Sequence, residues 1–349
     1  MEKPASERVK GEKREAHRLI MNQKIAFRVD AGYAVGFGHI KRCIVLAKEI
    51  RKKTKVIFIT RDQEAVSIIE KNKFKAIKLN RSIGKNKEIG AIKKIIALNS
   101  VNKILIDLKE LVSTKYIEEL KKTRAKIMLL DNVGDGRKNA DVVIYPVAHS
   151  DKRLFKGIRG RLYYGWDYVI VDKKFFGKRK PLSFVRAGKP HILVTMGGSD
   201  AHNLTPKIIS ALKKIKQNFK CTVVMGPGFH NKHIRVKDER FIVKKNVSNM
   251  AELMISSDIS IILFGVSAYE AAAARLPCIL ISDSERNNTA AKAFKKFGTS
   301  TYLGHYASVN EKDIILTIIN LLKNQKRTKL MEKNCRKFLK QKRLIFDIV

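Results

Sequence analysis

A histidine set between glycines, where an apolar strand gives way to a helix, is the residue pattern with the most chemistry in this chain. The stretch DAGYAVGFGHIKRC, Asp30 to Cys43, begins at the end of the apolar run KIAFRVD. Gly36 and Gly38 allow a backbone to approach a ligand closely, and a helix starting near His39 turns free amides and a positive dipole end toward it. His39 and Arg42 are three residues apart and share a helix face. An imidazole kept neutral by such neighbours can take a proton from water. A lone histidine can equally cap or pack a helix, and that alternative stands beside the first. A dinucleotide fingerprint is excluded, because GxGxxG would need glycine where Lys41 stands.

Three further segments suit an anion and a ribose. TMGGSDAHNL, Thr195 to Leu204, places Gly198 and Ser199 in a turn that bares amides, before a helix expected from about Asn203 whose N-terminus favours a diphosphate. MGPG, Met225 to Gly228, repeats the arrangement one strand later through Gly226. In FGVSAYEAAAARLPCILI, Phe264 to Ile281, Gly265 and Ser267 end a buried strand, and Glu270 is expected in the first turn of the next helix, where a carboxylate can accept both ribose hydroxyls. Asn287 and Asn288 open another helix and can touch phosphate or sugar. Each has a plain alternative: a structural turn for Gly-Gly, helix stabilisation for Glu270, capping for the asparagines.

The elements that must position these residues alternate along the chain. Short aliphatic runs such as KVIFIT, KILIDL, AKIMLLD and DVVIYP are separated by amphipathic, lysine-rich stretches, the pattern of a parallel sheet covered on both faces. A second alternation starts at PHILVTMGGSD. The expected fold is α/β: two facing Rossmann-like domains with mainly parallel sheets and an interdomain cleft. The expected boundaries are a basic tail over 1–23, a first domain over 24–165, a linker over 166–189 and a nucleotide-binding domain over 190–349. Ligands in such sheets sit beyond the carboxyl ends of the strands, where these turns lie.

Composition narrows the classes. At 349 residues the chain suits two domains, and 44% apolar residues is a globular share. No run is apolar and long enough to cross a bilayer, and the first residues lack the apolar stretch of a secretory signal, so a cytoplasmic setting is expected. Cys43, Cys221, Cys278 and Cys335 form no CxxC pair and are expected as reduced thiols, the first three in the core. The formal charge of +41 is spread along the chain, since the segment up to Lys24 holds seven basic and four acidic side chains. No nucleic-acid motif accompanies it, so no specific nucleic-acid partner is expected; peripheral contact with an anionic membrane surface is the other use for such charge. No cofactor and no metal site is expected.

The block RVDAGYAVGFGHIKRC, followed in order by LIDL, LLDN, VTMGGSDAHNL, VMGPG and SAYEAAA, resembles the nucleotide-sugar hydrolases of the pseudaminic acid pathway and the related spore-coat polysaccharide proteins, over Lys24 to Leu322. Those hydrolases release UDP from UDP-2,4-diacetamido-2,4,6-trideoxy-β-L-altropyranose. The later motifs also resemble the peptidoglycan N-acetylglucosaminyltransferase of GT-B architecture. The resemblance implies that His39 activates water for attack at the anomeric carbon with inversion. Asp30, Gly36, Gly38 and Arg42 would lie on the substrate side. On the nucleotide side, Val247 and Met250 would lie near the nucleobase, Glu270 at the ribose, and Gly198, Ser199 and Ser267 at the phosphates, with Gly226, Asn287 and Asn288 completing it. The chain departs from the family pattern at Phe264-Gly265-Val266, Asp131-Asn132, Asn287-Asn288 and LIDLKE. A GT-B glycosyltransferase using a UDP-sugar donor, or a non-catalytic nucleotide-sugar binding module, are the alternative readings.

Overall fold

The computed structural model describes residues 23–32, 35–147, 152–177, 189–229, 234–338, 345, 348 and 349. All but the last residue of the expected tail, and 178–188 of the expected linker, lie outside them. The chain divides into two compact units, which change over between Tyr164 and Gly165.

The first unit is a seven-stranded parallel sheet in the order β3-β2-β1-β4-β5-β6-β7. Its strands are β1 (Lys24–Val29), β2 (Lys55–Thr60), β3 (Lys75–Lys78), β4 (Lys103–Asp107), β5 (Lys126–Leu130), β6 (Val142–Tyr145) and β7 (Arg161–Tyr164). Helices α1 (Gly38–Ile50), α2 (Gln63–Lys71), α3 (Lys85–Asn99) and α4 (Thr114–Lys121) follow the first four strands. Helix α1 buries Ile40, Cys43, Ile44, Ala47 and Ile50, the three-and-four spacing of one helical face. Strand β1 is buried on both faces, as a central parallel strand must be, yet it includes Arg28, the largest fully buried side chain described. A buried guanidinium is tolerated because Asp30 and Glu88 receive its donors at 2.5 to 2.8 Å.

The second unit is a six-stranded parallel sheet in the order β10-β9-β8-β11-β12-β13. The strands are β8 (His191–Thr195), β9 (Lys220–Met225), β10 (Phe241–Lys245), β11 (Ile259–Leu263), β12 (Cys278–Ser282) and β13 (Ser300–His305). The helices are α5 (Leu204–Lys213), α6 (Met250–Ser256), α7 (Val266–Ala273), α8 (Glu285–Lys296), α9 (Glu311–Lys323) and α10 (Gln325–Phe338). Alternate residues feed two cores: Leu193, Ile262 and Leu280 into one, Ile192, Val194, Ile261 and Ile279 into the other. Cys43, Cys221, Cys278 and Cys335 are all free and buried.

Two boundaries differ from expectation. The stretch from Gly165 to Gly177 is packed into the second unit: Trp166 meets the rings of Tyr269, Phe294 and Phe297, and Phe175 is buried in the same core. Aromatic burial there outweighs the Gly-rich, charged composition that suggested a linker. At the other end, Ile345 and Val349 are buried in the first unit, where Lys103 Nζ donates to the Val349 carbonyl at 3.1 Å.

Candidate functional site

In the first unit the strand order reverses between β1 and β4, the switch point beside which open α/β sheets bind ligands. The helix after β1 carries His39 in its first turn, and the last residue of β4 is Asp107. Asp107 is fully buried, with Oδ1 2.6 Å from His39 Nδ1 and Oδ2 accepting from Arg42 Nε at 2.6 Å. Arg42 Nη2 adds a 2.5 Å bond to Oδ1, and the Cys43 thiol donates to Oδ2 at 3.4 Å. Burial alone would raise the Asp107 pKa; the charges and hydrogen bonds of Arg42 and His39 reverse this and hold the carboxyl well below its usual range. An ionised carboxylate at 2.6 Å is an acceptor for Nδ1–H, and in that tautomer the lone pair lies on Nε2; Arg42 Nη2 lies 3.1 Å from the same Nδ1. His39 keeps 22% of its side-chain exposure, so the ring is not sealed in the core.

Arg42 does not face outward as a substrate-side residue should. Its Nη1 donates to Asp131 at 2.7 Å while Nε and Nη2 serve Asp107, and burial, which would lower its pKa, is overcome by these two carboxylates, so the group stays charged. Asp30 is likewise engaged. It accepts from Arg28, from the Thr60 hydroxyl at 3.2 Å, and from Arg61 through both the amide at 2.8 Å and Nε at 2.9 Å. Burial opposes its ionisation, but the Arg28 hydrogen bonds and charge hold its pKa near about 2. The carboxylate therefore anchors the start of the Gly-rich loop. That loop closes on itself through two backbone bonds between Gly32 and Gly36, and Gly36 has φ +87°, a region that disfavours any side chain. Gly38 is the first residue of α1, whose N-terminus has no side-chain cap.

Asp107 and Asp131, which contact His39 and Arg42, and Asn132 beside them were not among the site residues expected from the sequence. Asn132 donates to the carbonyls of Leu108 and Glu110 and accepts from the amides of Val112 and Gly134, which pins the loop after β4. Their signal was a carboxylate ending an otherwise apolar, buried strand, in LIDL and again in LLDN.

In the second unit the switch point falls between β8 and β11, with the exit of β12 next to it. Gly198 and Ser199 follow β8, Ser267 stands in the first turn of α7 after β11, and Asn287 lies in α8 after β12. Three expectations change. The N-terminus of α5 is already capped: Asp200 accepts from the amides of Leu204 and Thr205 at 2.8 and 2.9 Å, so those amides face a carboxylate of the chain. Gly226 is a packing residue, since a Cβ there would come within 2.4 Å of the Gly198 carbonyl oxygen. Glu270 is the fifth residue of α7 and so sits in its second turn, because the helix starts at Val266 directly after Gly265.

Helix α7 differs from its neighbours at its start. Helix α8 is capped by Ser284 and α9 by Asn310, and α5 by Asp200, whereas α7 has neither a side-chain cap bond nor an acid in its first turn. Asn287 Nδ2 donates to Asp283 at 2.6 Å and to the Phe264 carbonyl at 3.3 Å, tying the β12 exit to the β11 exit. Asn288 accepts from the Tyr302 hydroxyl at 2.7 Å and donates to Glu285 at 3.2 Å. Val247 and Met250 are partly buried against the core that holds α7. Among the described residues no group of three or more His, Cys, Asp or Glu is arranged to hold a metal ion, and no helix is long and apolar enough to cross a membrane.

Two Rossmann-like parallel-sheet units define a GT-B fold. Solved structures share it: Acinetobacter baumannii MurG superposes with a TM-score of 0.68 at 13% identity, covering 94% of this chain and 99% of that one. Anabaena HepE, in complex with UDP-glucose, gives 0.62 at 12% identity over 94% and 99%. No family model matches the chain. Its sequence relatives are distant. An uncharacterized protein of Methanocaldococcus jannaschii is 29% identical over 80% of this chain, which spans 60% of that protein's length. The spore coat polysaccharide biosynthesis protein SpsG of Bacillus subtilis is 26% identical over 84% of this chain and 87% of its own. The UDP-2,4-diacetamido-2,4,6-trideoxy-β-L-altropyranose hydrolase of Campylobacter jejuni is 26% identical over 55% and 67%.

Proposed function

We propose that the protein hydrolyses a UDP-activated deoxy-diacetamido sugar, with His39 as the general base. The observation that carries this reading is the 2.6 Å contact between His39 Nδ1 and the buried, ionised Asp107. It leaves Nε2 as the acceptor for a proton from water. The water oxygen attacks the anomeric carbon, the bond from that carbon to the phosphate oxygen breaks, UDP leaves, and the configuration inverts. Asp107 stabilises the imidazolium that forms, a role worth about 10²–10⁴ in rate for general-base catalysis as a whole. Gly36 and Gly38 leave room for the sugar.

The nucleotide falls to the second unit. The uncapped start of α7, with Ser267, Gly198 and Ser199, suits the diphosphate, whose leaving charge the free amides stabilise. Glu270 holds the ribose and Val247 and Met250 flank the nucleobase. The hydrolase and spore-coat relatives support the sugar-nucleotide class, and the proposal includes a cytoplasmic setting in polysaccharide or nonulosonic acid biosynthesis. A glycosyltransferase is the second reading, favoured by fold neighbours that include a Rickettsia africae glycosyltransferase; a sugar or lipid hydroxyl then takes the place of water.

Incubation with a panel of UDP- and CMP-sugars in ¹⁸O-water tests both. Label in the free sugar is the expected result. Label in the nucleotide means attack at phosphorus and removes the mechanism, and release only with an added acceptor makes the protein a transferase.

A further inference from the structure

The first unit carries a second concave region, away from the carboxyl ends of its strands. It runs along α4 and the turns leading into β6 and β7, as a cavity of about 770 Å³ beside another of about 480 Å³. Volumes of this order suit small ligands. Ten residues line the larger cavity, and five of them are Arg137, Lys138, Arg153, Lys156 and Arg159. That is half the wall, in a chain where Lys and Arg are 73 of 349 residues. The smaller cavity adds Lys121 and Arg161.

Asp135 pairs with Arg137 and Lys138 at 3.4 and 3.5 Å, and the two acids in the walls, Glu118 and Asp141, are outnumbered by the cations that remain, Lys156, Arg159 and Arg161 among them. Glu118 already accepts from Asn139 at 2.8 Å, and Asp141 is held by Lys121 and by the Ile127 amide, both at 2.8 Å. The main chain beneath the cations is tightly built. A Cβ on Gly160 would lie 2.2 Å from the Ala140 carbonyl oxygen, so this turn rests directly on the backbone before β6. The Arg159 amide donates to Lys138 at 3.1 Å and the Arg161 amide to Asp141 at 2.9 Å. The Phe155 ring packs against Tyr145 and Tyr164, with centroids 6.0 and 4.6 Å away, and secures the other end. Arginines held from a fixed backbone around a concavity match the geometry of phosphate, which guanidinium groups bind with paired donors.

We propose that this basic trough binds a phosphate-bearing anion, at a site separate from the His39–Asp107 centre. The ligand chemistry is a phosphomonoester or diphosphate, carried by a free metabolite or by a lipid headgroup.

Hydrogen exchange on the full chain distinguishes the two sources, with inorganic pyrophosphate as one probe and phosphatidylglycerol vesicles as the other. A triple variant, Lys156→Ala, Arg159→Ala and Arg161→Ala, is compared with a control that removes equal charge from another basic cavity, Lys323→Ala, Lys326→Ala and Arg327→Ala. Pyrophosphate protection of amides 156–161, weakened about tenfold in the triple variant and kept in the control, is expected for a free phosphate compound. Protection by vesicles alone, with the same dependence on the variants, assigns the phosphate to a lipid. Absence of protection by either probe, or equal loss in both variants, overturns the proposal.

Discussion

The two switch points are built from opposite materials. In the first unit, buried ions surround the crevice: Asp107, Arg42 and Asp131 on one side of β1, Arg28, Asp30, Glu88 and Arg61 on the other. In the second, the corresponding turns are mainly glycine and neutral side chains, with Gly198 against Gly226 and Asn287 tying two strand exits together, and their acids, Asp200 and Asp283, are bonded to the α5 amides and to Asn287. Fixed charges hold an imidazole in one tautomer, which is what proton transfer requires. Bare amides at a helix start accept an incoming anion without a charged side chain of the protein competing for it. On the proposed function, this is the contrast expected between a centre that does chemistry and one that holds a leaving group.

The sharpest way to break this contrast is His39→Ala, which should lower turnover about 10²–10⁴-fold while nucleotide affinity, read by calorimetry, stays near the parent value. A variant with the parental rate removes the base assignment. Asp107→Asn should come next. It strips one of the two counter-charges from buried Arg42 and is expected to cost about 3–5 kcal/mol in urea denaturation; a loss under about 1 kcal/mol would mean that Asp131 suffices to balance the guanidinium.

Gly226→Ala probes the neutral side, where the backbone of Gly198 has to move, and should destabilise by about 1–3 kcal/mol with turnover per folded molecule reduced far less than in His39→Ala. Acid separates the halves by another route. The Asp30 pKa is depressed in the fold to about 2, so its stabilising contribution is complete above the unfolded carboxyl value and fades as pH falls toward 2. Asp30→Asn should erase an acid-dependent term on the order of 2 kcal/mol, seen as a flatter stability profile between about pH 4 and pH 2.

The smallest effect belongs to His191 at the start of β8. Burial pushes its pKa below the usual value, so the unfolded chain binds the proton more readily and stability drops as pH falls below about 6.5. His191→Gln should flatten this acid-side slope in thermal melts, and an unchanged slope would assign it elsewhere.

Periodicity made the architecture legible, since apolar runs of strand length separated by amphipathic helices leave few alternatives to two parallel sheets. His39 and the glycine turns were legible because they sit where a strand pattern stops. The partners of His39 were not, because the meeting of residues 39 and 107 depends on β4 lying beside β1, a neighbour relation that spacing along the chain does not encode. The same gap hid the buried partners of Arg42 and Asp30, whose types suit a substrate as well as they suit a counter-ion. Trp166 and Phe175 sat among glycines and lysines that look like a connector, and only their packing against Phe294, Phe264 and their neighbours shows them to be core. The α7 boundary moved Glu270 by a turn, because β11 ends at Leu263 and the helix begins only at Val266, directly after the extended Gly265.

Three consecutive contacts from α1, those of His39, Arg42 and Cys43, converge on the single carboxylate of Asp107. That carboxylate, the Arg42–Asp131 bond and the buried face of α1 all belong to one packed unit, so loosening of the unit also releases the imidazole from its aim. On heating, activity and the first unit's structure should therefore disappear over the same few degrees, and a spectroscopic melt of that unit would double as a record of the enzyme's working range.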